Sequence, residues 1–309
     1  MAQDATDGAR GTEPGPAGPA GARGWPLVLV LVAGLALAGW AYLGVMVADM
    51  VPLMDMSEAG PGMGLFNQFN GFAGLPAEAR AALAALCLPT AAATFGMPSV
   101  EWSIGDAFVV FVMWLMMALA MMLPGATPML RAYHERSAAV HAASAVSTLT
   151  VAAGYLAVWA GYAVVATAVQ WALTQIGALS TMMAPVHLAL TASVLVGAGI
   201  YQFTPAKRAC LDRCWYPRWL FLNLRHKETG GSAAFREGIA QGLACLGCCW
   251  AVMTVMFAVG LMNIVWIAVL GAVMAIEKAF PSRVLPPLLG ALFLAWGGAL
   301  TALLMTGAG

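Results

Sequence analysis

The chain has 309 residues, of which 61% are hydrophobic and only 9% charged, and its mean hydropathy is +0.83. That leaves too little polar surface for a water-exposed globule of this size. Fourteen basic and fourteen acidic side chains cancel to a net charge of zero, which argues against a nucleic-acid partner. Twenty methionines stand out. Methionine is flexible, soft and polarizable, so an excess has either irregular packing or metal as its reason.

Residues 1–24 are rich in Gly, Ala and Pro without apolar periodicity, and are expected to form a disordered tail. The apolar run 25–48 is longer than the core of a cleavable signal peptide and fits a spanning anchor. Residues 49–105 then form a Met-rich, acidic extracytoplasmic loop, in which Met50, Met54, Met56 and Met63, just after Met46, interleave with Asp49, Asp55 and Glu58. From 106 to 309 the apolar segments 106–123, 143–172, 179–203, 237–259, 261–276 and 285–306 predict a membrane bundle, interrupted by a basic cytoplasmic loop at 204–236. The sequence therefore predicts an all-α, polytopic transmembrane helix bundle of about seven spans, with the lipid bilayer as its surroundings. Lys and Arg concentrate in the tail and in alternate connections, leaving only Arg80 on the other side. This places the N-terminus inside and the C-terminus outside of a multi-pass membrane protein. Pro124 and Pro128 are expected to break the second helix at its cytoplasmic end.

Sulfur carries the chemistry. Cys245, Cys248, Cys249, Met253 and Met256 fall on one face of a helix inside an apolar run. Soft thiolates and thioethers select Cu(I) over hard cations. Met113, Met117 and Met121 recur every four residues and form a second stripe, equally readable as binding or as packing. Cys210 and Cys214, also four apart, sit on a helix started by Pro205. They could hold one ion in near-linear coordination, with Lys207, Arg208 and Arg213 favouring the thiolate. Thiols then lie toward the reducing side and thioethers toward the oxidising side, the gradient a Cu(I) relay needs. His141 and His187 are too far apart along the membrane normal to hold a haem, while His134 and His226 read as solvated loop residues. Glu277-Lys278 reads as an interfacial anchor pair. No ATP-binding loop, Ser-His-Asp grouping or catalytic carboxylate pair can be assembled, so neither a nucleotide cofactor nor an enzyme is expected.

The motifs together resemble a bacterial family of predicted metal-binding integral membrane proteins, often labelled copper chaperones. The resemblance rests on Met113-Trp114 through Met116, Met117, Met121, Met122 and Pro124, with Pro128 beyond. It continues through Gly199-Ile-Tyr201-Gln202, Pro205-Ala-Lys207 and Cys210-Leu-Asp-Arg-Cys214. Cys245-Leu-Gly-Cys248-Cys249-Trp250, Met253, Gly260-Leu-Met262-Asn263 and Glu277-Lys278 complete it. It covers about 106–280 and leaves out the outer methionine loop.

The leading expectation is a membrane protein that handles Cu(I), as a copper transporter or membrane copper chaperone, with copper-donating or copper-accepting proteins as partners. The alternative is an accessory or assembly subunit of a larger membrane cuproenzyme complex. A thiol redox role for Cys245, Cys248 and Cys249 is disfavoured, because cysteines one or four apart on a helix rarely reach disulfide geometry.

Overall fold

The computed structural model describes residues 24–51, 55–69, 102–140, 144–180, 182–216 and 231–306. The expected tail up to 23, Met54, His141, His226 and most of the outer loop beyond 69 lie outside them, as do 217–230 of the basic loop. Among the described residues the chain is helical, with one isolated bridge between Leu179 and Pro185. The first apolar run becomes α1 (Trp25–Met50), opened by a proline whose missing N–H costs nothing in a first turn. Two short 3-10 turns follow at Met56–Ala59 and Met63–Phe69. Then come α2 (Ile104–Val140), α3 (Ser144–Gln175), α4 (Leu188–Gln202), α5 (Pro205–Trp215), α6 (Gly231–Thr254), α7 (Met256–Val259), α8 (Ile264–Ala279) and α9 (Leu285–Met305).

Among the described residues, five helical stretches are long and apolar enough to cross a membrane: Trp25–Met50, Ile104–Ser137, Ala145–Gln175, Gly231–Val259 and Leu285–Met305. A sixth results if α4 and α5, bent by 64° at their junction, count as one broken span. Two of the expected spans are therefore altered. The segment 179–203 is not one helix. Gly177 (φ +68°) ends α3 and Met183 adopts φ +53°, so residues up to His187 form a folded turn in which Ser180 N–H donates to Ala184 O. That leaves α4 with 15 residues, about 22 Å of rise against about 30 Å of hydrocarbon. The segment 261–276 becomes α8, a helix of only 16 residues.

The proline pair does not end the second helix. Pro124 and Pro128 both lie inside α2, which runs on to Val140. Side-chain donors add bonds to the backbone of the turn around them. Thr127, between the prolines, donates its hydroxyl to Leu123 O (3.3 Å), and Tyr155 of α3 donates to Met122 O (3.3 Å).

The core is one continuous cluster running through α1, α2, α3, α6, α7 and α8. Its tightest seam joins α3 to α6, where Gly154 and Gly238 face each other. A Cβ on Gly238 would collide with Val151 O, and one on Gly154 with Phe235 O. Close backbone approach between small residues is how apolar helices gain packing energy without help from water. At one end of the bundle the loop after α1 is tied down. Asp55 caps the first 3-10 turn through Ser57 N–H (2.9 Å), and Asn67 donates to Asp55 Oδ1 (2.7 Å). Asn263 donates to Pro61 O (2.9 Å) and caps α8 through Trp266 N–H (3.2 Å). Gly60, at φ +118°, lies directly on Val259 O, a position no side chain could share.

Gly238→Val should therefore cost about 2–3 kcal/mol by overpacking and lower the melting temperature in detergent. Gly161→Ala, on the same helix pair but with open space beyond it, should leave that temperature unchanged or slightly raised.

Candidate metal centre

The i, i+3, i+4 spacing of Cys245, Cys248 and Cys249 puts three thiols on one face of α6, and α6 turns that face inward. All three are buried, and their sulfurs lie within 4.8 Å of one another. Cys248 and Cys249 are 3.2 Å apart at Sγ, and Cys248 donates to Cys245 O (3.1 Å). The fourth sulfur comes from another element. Cys214 of α5 reaches to 3.8 Å from Cys248 Sγ. The pair expected to stand alone is thus divided: Cys214 joins the α6 thiols, while Cys210 Sγ packs onto Gly247, where a side chain would collide with it. All five described cysteines are free thiols.

The surroundings of Cys245 are polar. Lys278 at the end of α8 donates from Nζ to Cys245 Sγ (3.0 Å) and to Met122 Sδ (3.3 Å). Tyr155 OH lies 3.0 Å from Cys245 Sγ. A thiolate in an apolar interior is costly without a partner of opposite charge, and the ammonium supplies one. The expectation of an interfacial Glu277-Lys278 anchor pair is overturned. Glu277 is fully buried, and its carboxylate takes Lys207 Nζ at 2.8 Å and 2.9 Å. Its carbonyl accepts from Trp215 Nε1 at 2.7 Å.

The thioethers extend away from this cluster. Met113, Met117 and Met121 of α2 are buried, and Met121 lies against Gly271 of α8. Met253 is fully buried at the end of α6, and Met256 lies just past the helix break at Val255. Met46, Met50, Met56 and Met63 belong to the same buried core rather than to an open loop. A polar link crosses this region: Trp114 Nε1 donates to Gln170 Oε1 (2.8 Å), and Gln170 Nε2 donates to Met183 Sδ (2.8 Å).

Histidine contributes little. His187 is the exposed residue before α4. His134, expected to be solvated, is 2% exposed, bonds Thr148 Oγ1 (3.1 Å) and sits against the Trp25 ring. Extension of α2 past the prolines carries it into the bundle.

A family model for PpoB2, described as a copper chaperone, matches residues 111–300. The chain belongs to this copper chaperone family. No curated protein and no solved structure matches the chain. The span shared with the family contains Met122, Tyr155, Cys214, the α6 thiols and Lys278, the whole of the cluster. It excludes α1 and the methionines at 46, 50, 56 and 63.

Met122, Tyr155 and Lys278 escaped the sequence reading as site residues. Met122 and Tyr155 lie on other helices 90 or more positions before Cys245, and Lys278 lies 33 positions after it, beyond a helix break. The available signal was Lys278 itself, an ammonium at the end of an apolar segment, which is a functional candidate by default.

Cys248 touches both Cys214 and Cys249, so Cys248→Ala should weaken Cu(I) binding by at least about the 10–100-fold typical of a supporting residue. Cys210→Ala should leave the affinity unchanged. Titration against a Cu(I)-specific chelator under anaerobic conditions measures both.

Proposed function

We propose that this copper chaperone family member holds Cu(I) in the membrane at the thiol cluster and hands it to an acceptor protein. One observation carries the reading: four cysteine sulfurs from two helices converge in a buried site beside an ammonium and a thioether. Thiolate and thioether together favour a soft monovalent ion. Tetrahedral zinc sites draw on thiolate, imidazole and carboxylate, and no His or carboxylate joins the cluster among the described residues.

The copper ion is cargo. Thioethers bind it without losing a proton and survive oxidising surroundings, so Met46, Met50, Met56, Met63, Met113, Met117, Met121, Met253 and Met256 form its approach. The thiols form the holding site toward the reducing side. The distribution of Lys and Arg supports an N-terminus inside, and the resemblance to a bacterial family supports the inner membrane as its place. The family description favours delivery over free transport, either to a separate acceptor or to a larger membrane cuproenzyme complex during its assembly.

Protein purified anaerobically in detergent is expected to contain copper, or to take up Cu(I) or Ag(I) with Zn(II) much weaker. Replacing Cys245, Cys248 and Cys249 together by Ala should remove that metal while helical content stays constant. Tight Zn(II) without Cu(I), or full copper content in the triple variant, would overturn the reading.

A further inference from the structure

The cluster's fourth thiol rides on a short helix set off from α4 by a sharp bend. On α5 only Lys207 and Leu211 are buried. Lys207, Cys210, Leu211, Cys214 and Trp215, at i, i+3, i+4, i+7 and i+8, make its inward face, while Arg208, Asp212 and Arg213 are exposed. A sharp bend of 64° separates α5 from α4, and Thr204 at the bend starts α5 as a new helix by accepting from Lys207 N–H (3.3 Å). Such a short amphipathic helix, with few buried apolar contacts, belongs to the low-stability end of a structure.

A fully buried ion pair joins this helix to α8. Lys207 and Glu277 are both fully buried, with Nζ between the two carboxylate oxygens at 2.8 Å and 2.9 Å. A second bond, Trp215 Nε1 to Glu277 O, lands on the same residue of α8. Removing one member of a buried pair leaves an uncompensated charge, so the docked helix and the intact pair stand or fall together. Glu277 is also the neighbour of Lys278, which touches Cys245. One dipeptide of α8 therefore grips α5 with one residue and the α6 thiols with the next.

We propose that α5 is a hinged, ligand-bearing latch: the Lys207–Glu277 pair docks it so that Cys214 completes the thiol cluster, and its undocking exposes the copper to the acceptor. Lys207 and Glu277 are positioning residues, acting on the metal through Cys214. The proposal rests on the copper reading for the metal, but the latch itself can be tested without any metal.

The test uses the full chain in detergent or proteoliposomes, with Glu277→Gln, Lys207→Met, the neutral double variant carrying both, and the exchange Lys207→Glu with Glu277→Lys. In the first arm, the metal-free protein is treated with a membrane-impermeant maleimide, and alkylation of Cys214 is followed by mass spectrometry. Glu277→Gln and Lys207→Met should raise that rate about tenfold or more, and the exchange should restore the slow rate. In the second arm, Cu(I)-loaded protein is mixed with bathocuproine disulfonate. Glu277→Gln and Cys214→Ala should release copper faster by a similar factor, and their combination should be no faster than either alone, as for two changes on one path. Should a single variant not fold, the double variant and the exchange supply the same comparison, since replacing a buried pair as a whole is tolerated.

Unchanged alkylation of Cys214 in folded variants would overturn the latch. So would an additive effect of Glu277→Gln in the Cys214→Ala background. If the alkylation arm succeeds while the unsubstituted cluster takes up no copper, the latch stands and the copper reading falls.

Discussion

A charged side chain among apolar helices must find a partner, and most of this architecture follows from where three such side chains find theirs. Lys207, Glu277 and Lys278 lie at the meeting point of α2, α5, α6 and α8, and none could be buried there alone. Lys207 neutralises Glu277, which brings α5 onto α8. Lys278 is directed instead to sulfur, at Cys245 and Met122, which brings α8 onto α6 and α2. Ammonium and thiol thus serve one another in the absence of metal. The ammonium has an acceptor, and the thiol site has a compensating charge already in place for the thiolates that copper binding requires.

The legible part of this molecule was the part written in local periodicity. The α6 thiol face was visible because i, i+3, i+4 spacing is a property of the helix itself, and the apolar segments were visible because about twenty residues must cover the hydrocarbon. The methionine stripe at 113, 117 and 121 was legible for the same reason. Copper chemistry followed from ligand softness, and the family assignment agrees with it.

What local periodicity does not contain is which helices meet. Cys214 and Cys248 are 34 residues apart, and Lys207 and Glu277 are 70 apart, so their pairing depends on the packing of α5 on both α6 and α8. Treating Cys210 and Cys214 as a pair used the helix rule correctly but lacked the partner helix, whose Gly247 takes Cys210 away from the sulfurs. Local rules also gave two wrong boundaries. Proline interrupts helices in water because freed carbonyls and steric clash go uncompensated, yet α2 runs through both prolines, with Thr127 and Tyr155 adding donors to Leu123 O and Met122 O just before Pro124. Conversely, the apolar run 179–203 looked continuous, but its backbone turns at Met183, just after Gly177 has ended α3, and hydropathy is blind to φ.

On the proposed copper reading, distribution of the ligands over two elements suits a carrier better than a store. A metal held by four sulfurs of one rigid element must leave all of them in a single costly step. When one ligand sits on α5 and three on α6, the ion can exchange sulfurs one at a time, an incoming thiolate replacing Cys214 before the others let go. Each intermediate then keeps two or three soft ligands, the coordination numbers Cu(I) accepts readily, and the barrier is divided. The thioethers of α2 and of the α6–α7 turn extend the same logic to the other side of the site. They are weaker donors than thiolates, so on the proposed copper reading an ion arriving along them would move toward stronger ligands and stop at the cysteines.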